Sequence, residues 1–413
     1  MMKYPSESRV SVYPFSRQQE GSEVVIGRPE TGAYLALPAD AVEILDYLQG
    51  GETVGGAQIL YQRKYGEIPD MEDFLDLLEK KGFLYPAGCE PAEAAKPRVR
   101  QHFASIPQRV ALYLFGPTAF RVYSIIVAAG FTAAALQPGL LPGPYALYFA
   151  ENQAVRALLL FLLSYAAVFV HEMGHLLAAR ALGVGSRMSF GHRLWFLVVE
   201  TDLTGLWSVP RQSRYLPLLA GPLIDAVSAA LLILVTFAGV REWIPMPMLA
   251  FQFIQAMIFL YLMRIAWQFF FFTRTDFYYA IANYFNCRNL LGDTEGFLRN
   301  FLAGFRLARP VNQSHIPAAE ARIIRAYAPV WILGRVLALG MLIFVTIPVS
   351  FKYLRGIVVT LRAGSDADLI RWVDSLVLVT LTLGPLMVGF VWWLASLGKE
   401  WRKNREASAT NPV

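Results

Sequence analysis

Hydrophobic positions change their period along this chain, and each period predicts a different kind of element. Up to residue 37 they fall in short clusters, RVSVYPF (9–15), EVVIGR (23–28) and GAYLAL (32–37), with Gly21 and Gly32 in the polar turns between them. That pattern predicts three short strands. The period then lengthens. Val42, Leu45 and Leu48 predict a helix over 39–49 that stops at Gly50-Gly51, and a second helix is expected over roughly 54–65. A third begins after Asp70, a good N-cap, and ends at Gly82 ahead of a closing strand at 83–85. Strands, three small helices and a wing predict a small α+β winged-helix domain over residues 1–95.

Past a linker at 96–114, polar positions nearly vanish. Apolar runs at 115–136, 157–181, 215–240, 246–272, 330–351 and 372–397 predict about six membrane-spanning helices. Within the loop after the second run, residues 194–199 and 203–209 are apolar and aromatic, broken by Glu200, Asp202 and Gly205. They predict a β-hairpin that dips into the membrane edge. The fold class expected is therefore a polytopic α-helical membrane protein with a small N-terminal α+β head. Residues 115–290 form its membrane core, and 291–413 a cytosolic segment plus two C-terminal spans.

Composition agrees. Of 413 residues 55% are hydrophobic and 16% charged, with a mean hydropathy of +0.41, which excludes an ordinary soluble enzyme. The net charge of +6 is unevenly shared: residues 1–95 carry 8 Lys/Arg against 16 Asp/Glu. An acidic head on a basic body argues against nucleic acid as a partner. With six spans most loop arginines share one side with both termini, so the positive-inside rule makes that side the cytosol of a bacterial cytoplasmic membrane. The loop holding Lys352, Arg355, Arg362 and Arg371 runs against that rule. Two distant cysteines, Cys89 and Cys287, imply neither a disulfide framework nor a thiolate metal site.

The second span carries the chemistry: His171-Glu172-Met173-Gly174-His175, an H-E-x-x-H pattern. Residues four apart share a helix face, so both imidazoles can address one ion while Glu172 reaches a water on it. Two packing histidines bonded across a helix bundle are the ordinary alternative. Charged groups inside a span cost on the order of a few kcal/mol, however, and are functional by default. Zinc at a catalytic site takes three protein ligands and a water. Asp225, Asp276, Glu200, Asp202 and His192 are candidates for the third. Asp276 is the first choice, because it closes a long apolar helix on the same side as His175. Asp225 is an alternative ligand or a group that orients substrate or ligand, and His192 is a loop histidine beside Arg193.

Two resemblances follow from these residues. The H-E-M-G-H helix, the hairpin, Ala220-Gly221-Pro222-Leu223-Ile224-Asp225 and the late Thr275-Asp276-Phe277-Tyr278-Tyr279 segment resemble the site-2 protease family of intramembrane zinc metalloproteases, over roughly residues 110–290. The resemblance implies Zn2+ on His171, His175 and Asp276, with Glu172 as general base, in an intramembrane metalloendopeptidase. Phe277 stands where the family has Gly, and Asp225 where its Gly-Pro motif ends in Asn. Residues 8–88 resemble a PqqD-like domain, through G-x-Y-L-x-L-P, A-x-x-I-L-D-Y-L and F-L-x-x-L-x-x-K-G-F-L. That likeness implies a leader peptide added as a strand to the sheet edge beside the third helix. A generic winged helix binding DNA or another protein is the competing reading of the head. The expected substrate is a peptide or membrane protein met in the lipid bilayer, first among them a ribosomally made modified peptide whose leader docks on the head. Alternatives are cleavage of a membrane-bound regulator and a non-catalytic peptide-binding or export adaptor.

Overall fold

The structure, a computed structural model, describes residues 3–409 apart from 22, 30, 86–101, 104, 148–152, 315, 349, 352–353, 356–357 and 359–368. Most of the expected linker before residue 102 and most of the basic loop between the last two spans lie outside the described residues. The chain divides into two compact units: 1–114 with 176–188 and 201–217, and 115–175 with 189–200 and 218–413.

In the first unit the strands are β1 (Ser11–Val12), β2 (Ser16–Glu20), β3 (Glu23–Arg28), β4 (Ala33–Pro38) and β5 (Leu84–Tyr85), and the helices α1 (Ala39–Gln49), α2 (Val54–Tyr65), α3 (Met71–Lys80) and α4 (Gln108–Leu114). Asp70 caps α3 as expected, accepting from Asp73 N at 3.1 Å. That helix buries Met71, Leu75 and Leu78, one stripe at helical spacing. Ile26, Leu45, Leu75, Leu78 and Phe83 meet at the centre of the head core, none with exposed surface.

The antiparallel sheet runs β2-β3-β4, and β1 pairs β5 separately. Of the strand expected at 9–15 only Ser11–Val12 forms, and it pairs with the closing strand rather than with β3. The first strand of the three-stranded sheet is Ser16–Glu20, SRQQE, a run without an apolar residue. The cause is the turn. Glu20 pairs with Glu23 across two residues, and Gly21 takes φ +63° there, so the ladder is fixed from the turn backwards. An edge strand set by its turn needs no apolar side chain to find its register.

The central strand is buried on both faces. Val24 and Ile26 face the helices, while Val25, also buried, points the other way. That other face meets the short 3-10 turn Thr204–Ser208, which touches β2, β3 and β4. Beside it Arg214 and Glu20, both 4% exposed at the side chain, form an ion pair. Arg214 Nε also donates to the Leu206 carbonyl at 2.9 Å, and its guanidinium lies 4.7 Å from the centre of the Trp207 ring.

The second unit is helical. Its elements are α5 (Pro117–Leu136), α6 (Gln153–Ala181, continuing into the first unit), α7 (Tyr215–Val240), α8 (Met248–Trp267), α9 (Asp276–Tyr284), α10 (Leu290–Gly304), α11 (Ala318–Met341) and α12 (Leu369–Ala409). Among the described residues six helices are long and apolar enough to cross a membrane, over 108–136, 154–181, 211–240, 248–267, 318–346 and 372–399. By length and composition the chain is an integral membrane protein. Small residues let the helices close up: a Cβ at Gly174 of α6 would meet the Ala220 carbonyl of α7 at 3.2 Å.

A hairpin does follow α6, in a different register from the one expected. Its strands are β6 (Arg187–Arg193) and β7 (Phe196–Asp202), turning at Leu194 with φ +55°. Residues 203–209, expected as its second strand, hold the 3-10 turn. Asp202 explains the stop, since its carboxylate accepts from both Thr204 N and Thr204 Oγ1 and bends the chain away.

Candidate metal centre

Three side chains from two helices converge. His171 and His175 sit one turn apart on α6, with their Nε2 atoms 3.2 Å from each other. Asp276 is the first residue of α9, behind an N-cap in which Thr275 accepts from Tyr278 N. Its Oδ2 lies 3.1 Å from His171 Nε2 and its Oδ1 3.5 Å from His175 Nε2. These residues were expected to share a site, though by a different route. Asp276 opens a new helix rather than closing the long one, which ends at Trp267. Phe277 needs no glycine conformation. The left-handed turn of this connection falls at Arg274, φ +55°, and the Phe277 ring packs edge-on against Phe269.

Asp225 stands on the other side of His171. Its Oδ2 is 2.8 Å from His171 Nδ1, and it has no exposed surface. A carboxylate on Nδ1 fixes that nitrogen as the N–H donor, so Nε2 carries the lone pair. That lone pair points at a carboxylate oxygen and at a second imidazole nitrogen, a contact that a cation at the centre makes favourable.

The spacing fits such an ion. Bonds of about 2.0–2.1 Å at tetrahedral angles place ligand atoms roughly 3.3 Å apart. Here the two Nε2 atoms are 3.2 Å apart, and the Asp276 carboxylate reaches His171 Nε2 at 3.1 Å through Oδ2 and His175 Nε2 at 3.5 Å through Oδ1. Gly221 of α7 leaves the room. A Cβ at that position would lie between His171 Nε2 and His175 Nε2, nearer to both than any side-chain contact allows. The hollow exists because residue 221 has no side chain.

The chain matches no family model, no curated protein and no solved structure.

A second ring of groups holds the first. Gln268, the C-cap of α8, donates from Nε2 to Asp276 Oδ2 at 2.9 Å and accepts from Asp276 N at 3.0 Å. Arg264, one turn earlier on α8, donates from Nε to Asp225 Oδ2 at 3.3 Å. The sequence reading singled out neither of them, nor the role of Gly221. The Gly-Pro pair on α7 was the one signal for the glycine, and the four-residue spacing of Arg264 and Gln268 the one signal for the others.

Glu172 is buried at 7% exposure, one residue round the helix from His171. His192 contributes no atom to the three-residue group. Its Nδ1 lies 3.1 Å from the Leu194 carbonyl and its ring faces Trp392. Of the remaining candidates, Asp202 pairs with Arg187, and Glu200 lies beside Gly191 within the hairpin.

A cavity of about 540 Å3 opens on the same helix, lined by Phe161, Ser164 and Tyr165 of α6, Leu197 of β7, and Leu381 and Pro385 of α12. At 100° per residue Ser164 lies within about 20° of His171 around α6 and about 10 Å along it. The cavity therefore lies on the face that carries the imidazoles. Backbone of the hairpin at Trp195 and Leu197 approaches α12 so closely at Gly389 that any Cβ there would collide with it.

Proposed function

We propose that this protein is an intramembrane zinc metallopeptidase that cleaves a peptide or membrane-associated substrate, resembling the site-2 proteases in the arrangement of its site. The observation that carries the reading is the convergence of His171, His175 and Asp276 on a hollow kept open by Gly221, with the two histidines and the glycine on helices long and apolar enough to cross a bilayer. Two imidazoles and one carboxylate are the ligand set of hydrolytic zinc, which leaves a position for water. A bound zinc supplies acidity to that water and polarises the scissile carbonyl.

The chain's own groups do the rest. Asp225 keeps His171 in the tautomer that offers Nε2, and Gln268 keeps Asp276 turned inward. Glu172 accepts the proton of the attacking water on its carboxylate and passes it to the departing amine nitrogen as the peptide bond breaks. The apolar cavity beside Ser164 suits the flanking side chains of an extended substrate.

The head is read as the recruiting element, a winged-helix-like domain resembling the PqqD-like fold. Among the described residues the sheet β2-β3-β4 has no further strand on β2 or β4, and an incoming leader could add there by backbone pairing. A ribosomally made precursor peptide is thus the substrate class favoured, met at a cytosolic head.

Elemental analysis of the purified protein tests the reading. About one zinc per chain is expected, absent from a His171→Ala/His175→Ala variant, with Glu172→Gln keeping the metal and losing about 10²–10⁴-fold in cleavage. Equal zinc in wild type and the double variant removes the site, and full-rate cleavage by Glu172→Gln removes the base.

A further inference from the structure

We propose that Arg264 is a positioning residue for the metal group, acting through Asp225 and His171; this rests on the metal reading above. Arg264 lies near the end of a predicted span, where an arginine ordinarily extends its head group to water. This one does not. Its Nε donates to Asp225 Oδ2 at 3.3 Å, and its Nη1 has no accessible surface and no hydrogen-bond partner among the described residues. The same Asp225 oxygen faces His171 Nδ1 at 2.8 Å. One oxygen atom thus joins the guanidinium to the imidazole.

Charge explains why the pair is needed. Glu172, Asp225 and Asp276 are three carboxylates in or beside a buried site, and Asp225 is wholly buried. With neutral imidazoles and the one guanidinium, the cluster carries a net charge of −2. A divalent cation brings it to zero, and a monovalent one leaves it charged in a medium that strongly penalises charge. Without Arg264, Asp225 would be a buried carboxylate held by His171 alone. That carboxylate would then be free to turn, and the His171 ring would lose the fixed partner that aims its Nε2. Arg264 therefore holds the Asp225 oxygen in the place from which it orients the His171 ring.

The test measures zinc affinity in the full-length protein in detergent, by competition with a chromophoric chelator, for wild type, Arg264→Met, Arg264→Lys, Asp225→Asn and Asp225→Asn/Arg264→Met. Circular dichroism and gel filtration monitor the fold. Arg264→Met is expected to weaken zinc binding about 10–100-fold, with Arg264→Lys falling between it and wild type. The double variant should bind no more weakly than Asp225→Asn alone, since the guanidinium has nothing left to position. It also removes both charges together, so it remains informative where Arg264→Met fails to fold. Wild-type affinity in folded Arg264→Met, or losses that add in the double variant, overturn the proposal. If wild type binds zinc and His171→Ala/His175→Ala does not, such a result removes only the role of Arg264. If wild type holds no zinc, the metal reading itself falls.

Discussion

Gln268 and Asp276 hold each other through two hydrogen bonds, one from the amide nitrogen to the carboxylate and one from the Asp276 backbone N–H to the amide oxygen. The pair spans the turn between α8 and α9, so the end of one helix aims the first residue of the next. Thr275 adds a third tie, donating from its buried hydroxyl to the Gln268 carbonyl at 2.8 Å. Replacing Gln268 by Leu should keep the helices and release the carboxylate. Zinc affinity is expected to fall about tenfold or more, read by chelator competition. Unchanged affinity would mean that Asp276 is aimed by its helix alone.

Gly221 gives the sharpest steric prediction. A single methyl group there would occupy the space between the two imidazoles. Gly221→Ala is expected to abolish zinc binding while membrane insertion and helix content persist. Gly139→Ala, where a Cβ meets nothing within 4 Å, is the control and should retain full zinc. Stoichiometric zinc in Gly221→Ala would place the ion elsewhere.

Filling the cavity should change specificity and leave the metal alone. Ser164 is about 10 Å along α6 from His171, and an extended peptide covers that distance in about three residues. Ser164→Trp is expected to slow cleavage of substrates with a large apolar residue about three positions from the scissile bond. Substrates with alanine there should be affected far less, and zinc content should not change. An equal loss on both would show that the cavity does not read the substrate.

The buried thiol offers a check on the packing around α10. Burial pushes the Cys287 thiol up to about 12, against an ordinary value of 9.0. At pH 8 its thiolate is then roughly a thousandfold rarer than that of a free cysteine. In a Cys89→Ser background, iodoacetamide at pH 8 should label the denatured protein and spare the native one. Complete native labelling would mean that this core is open.

How much of this was legible in advance follows from the range of each interaction. The H-E-x-x-H helix, the six long apolar helices and the Asp70 cap are local patterns, each written in consecutive residues. Asp276 could be chosen because an acidic residue after a long apolar helix is unusual in composition. Arg264 and Gln268 could not. In sequence they are a basic and a polar residue near the end of a span, as any span end has, and their purpose exists only once α7 and α9 lie beside them. Strand β2 escaped for a related reason: Gly21 and the partner strand dictate it, and its own side chains say nothing. The hairpin slipped because Trp195 is buried in a turn, where an aromatic run in sequence reads as strand.

The turn Thr204–Ser208 lying on the outer face of the head sheet bears on how this protein can be cut apart. Deleting residues 1–95 would uncover buried Leu206 and strip Arg214 of Glu20. The shortened chain is then expected to be poorly soluble in mild detergent, for reasons unconnected with peptide recognition. The same seam offers a better route: the two pieces, made as separate chains in one cell, should find each other again and co-purify, as halves of a split protein do. Their recovery would depend on Glu20 and Arg214, and the proposed docking of a leader could be tested with edge-strand substitutions in a head still bound to Arg214 and Leu206.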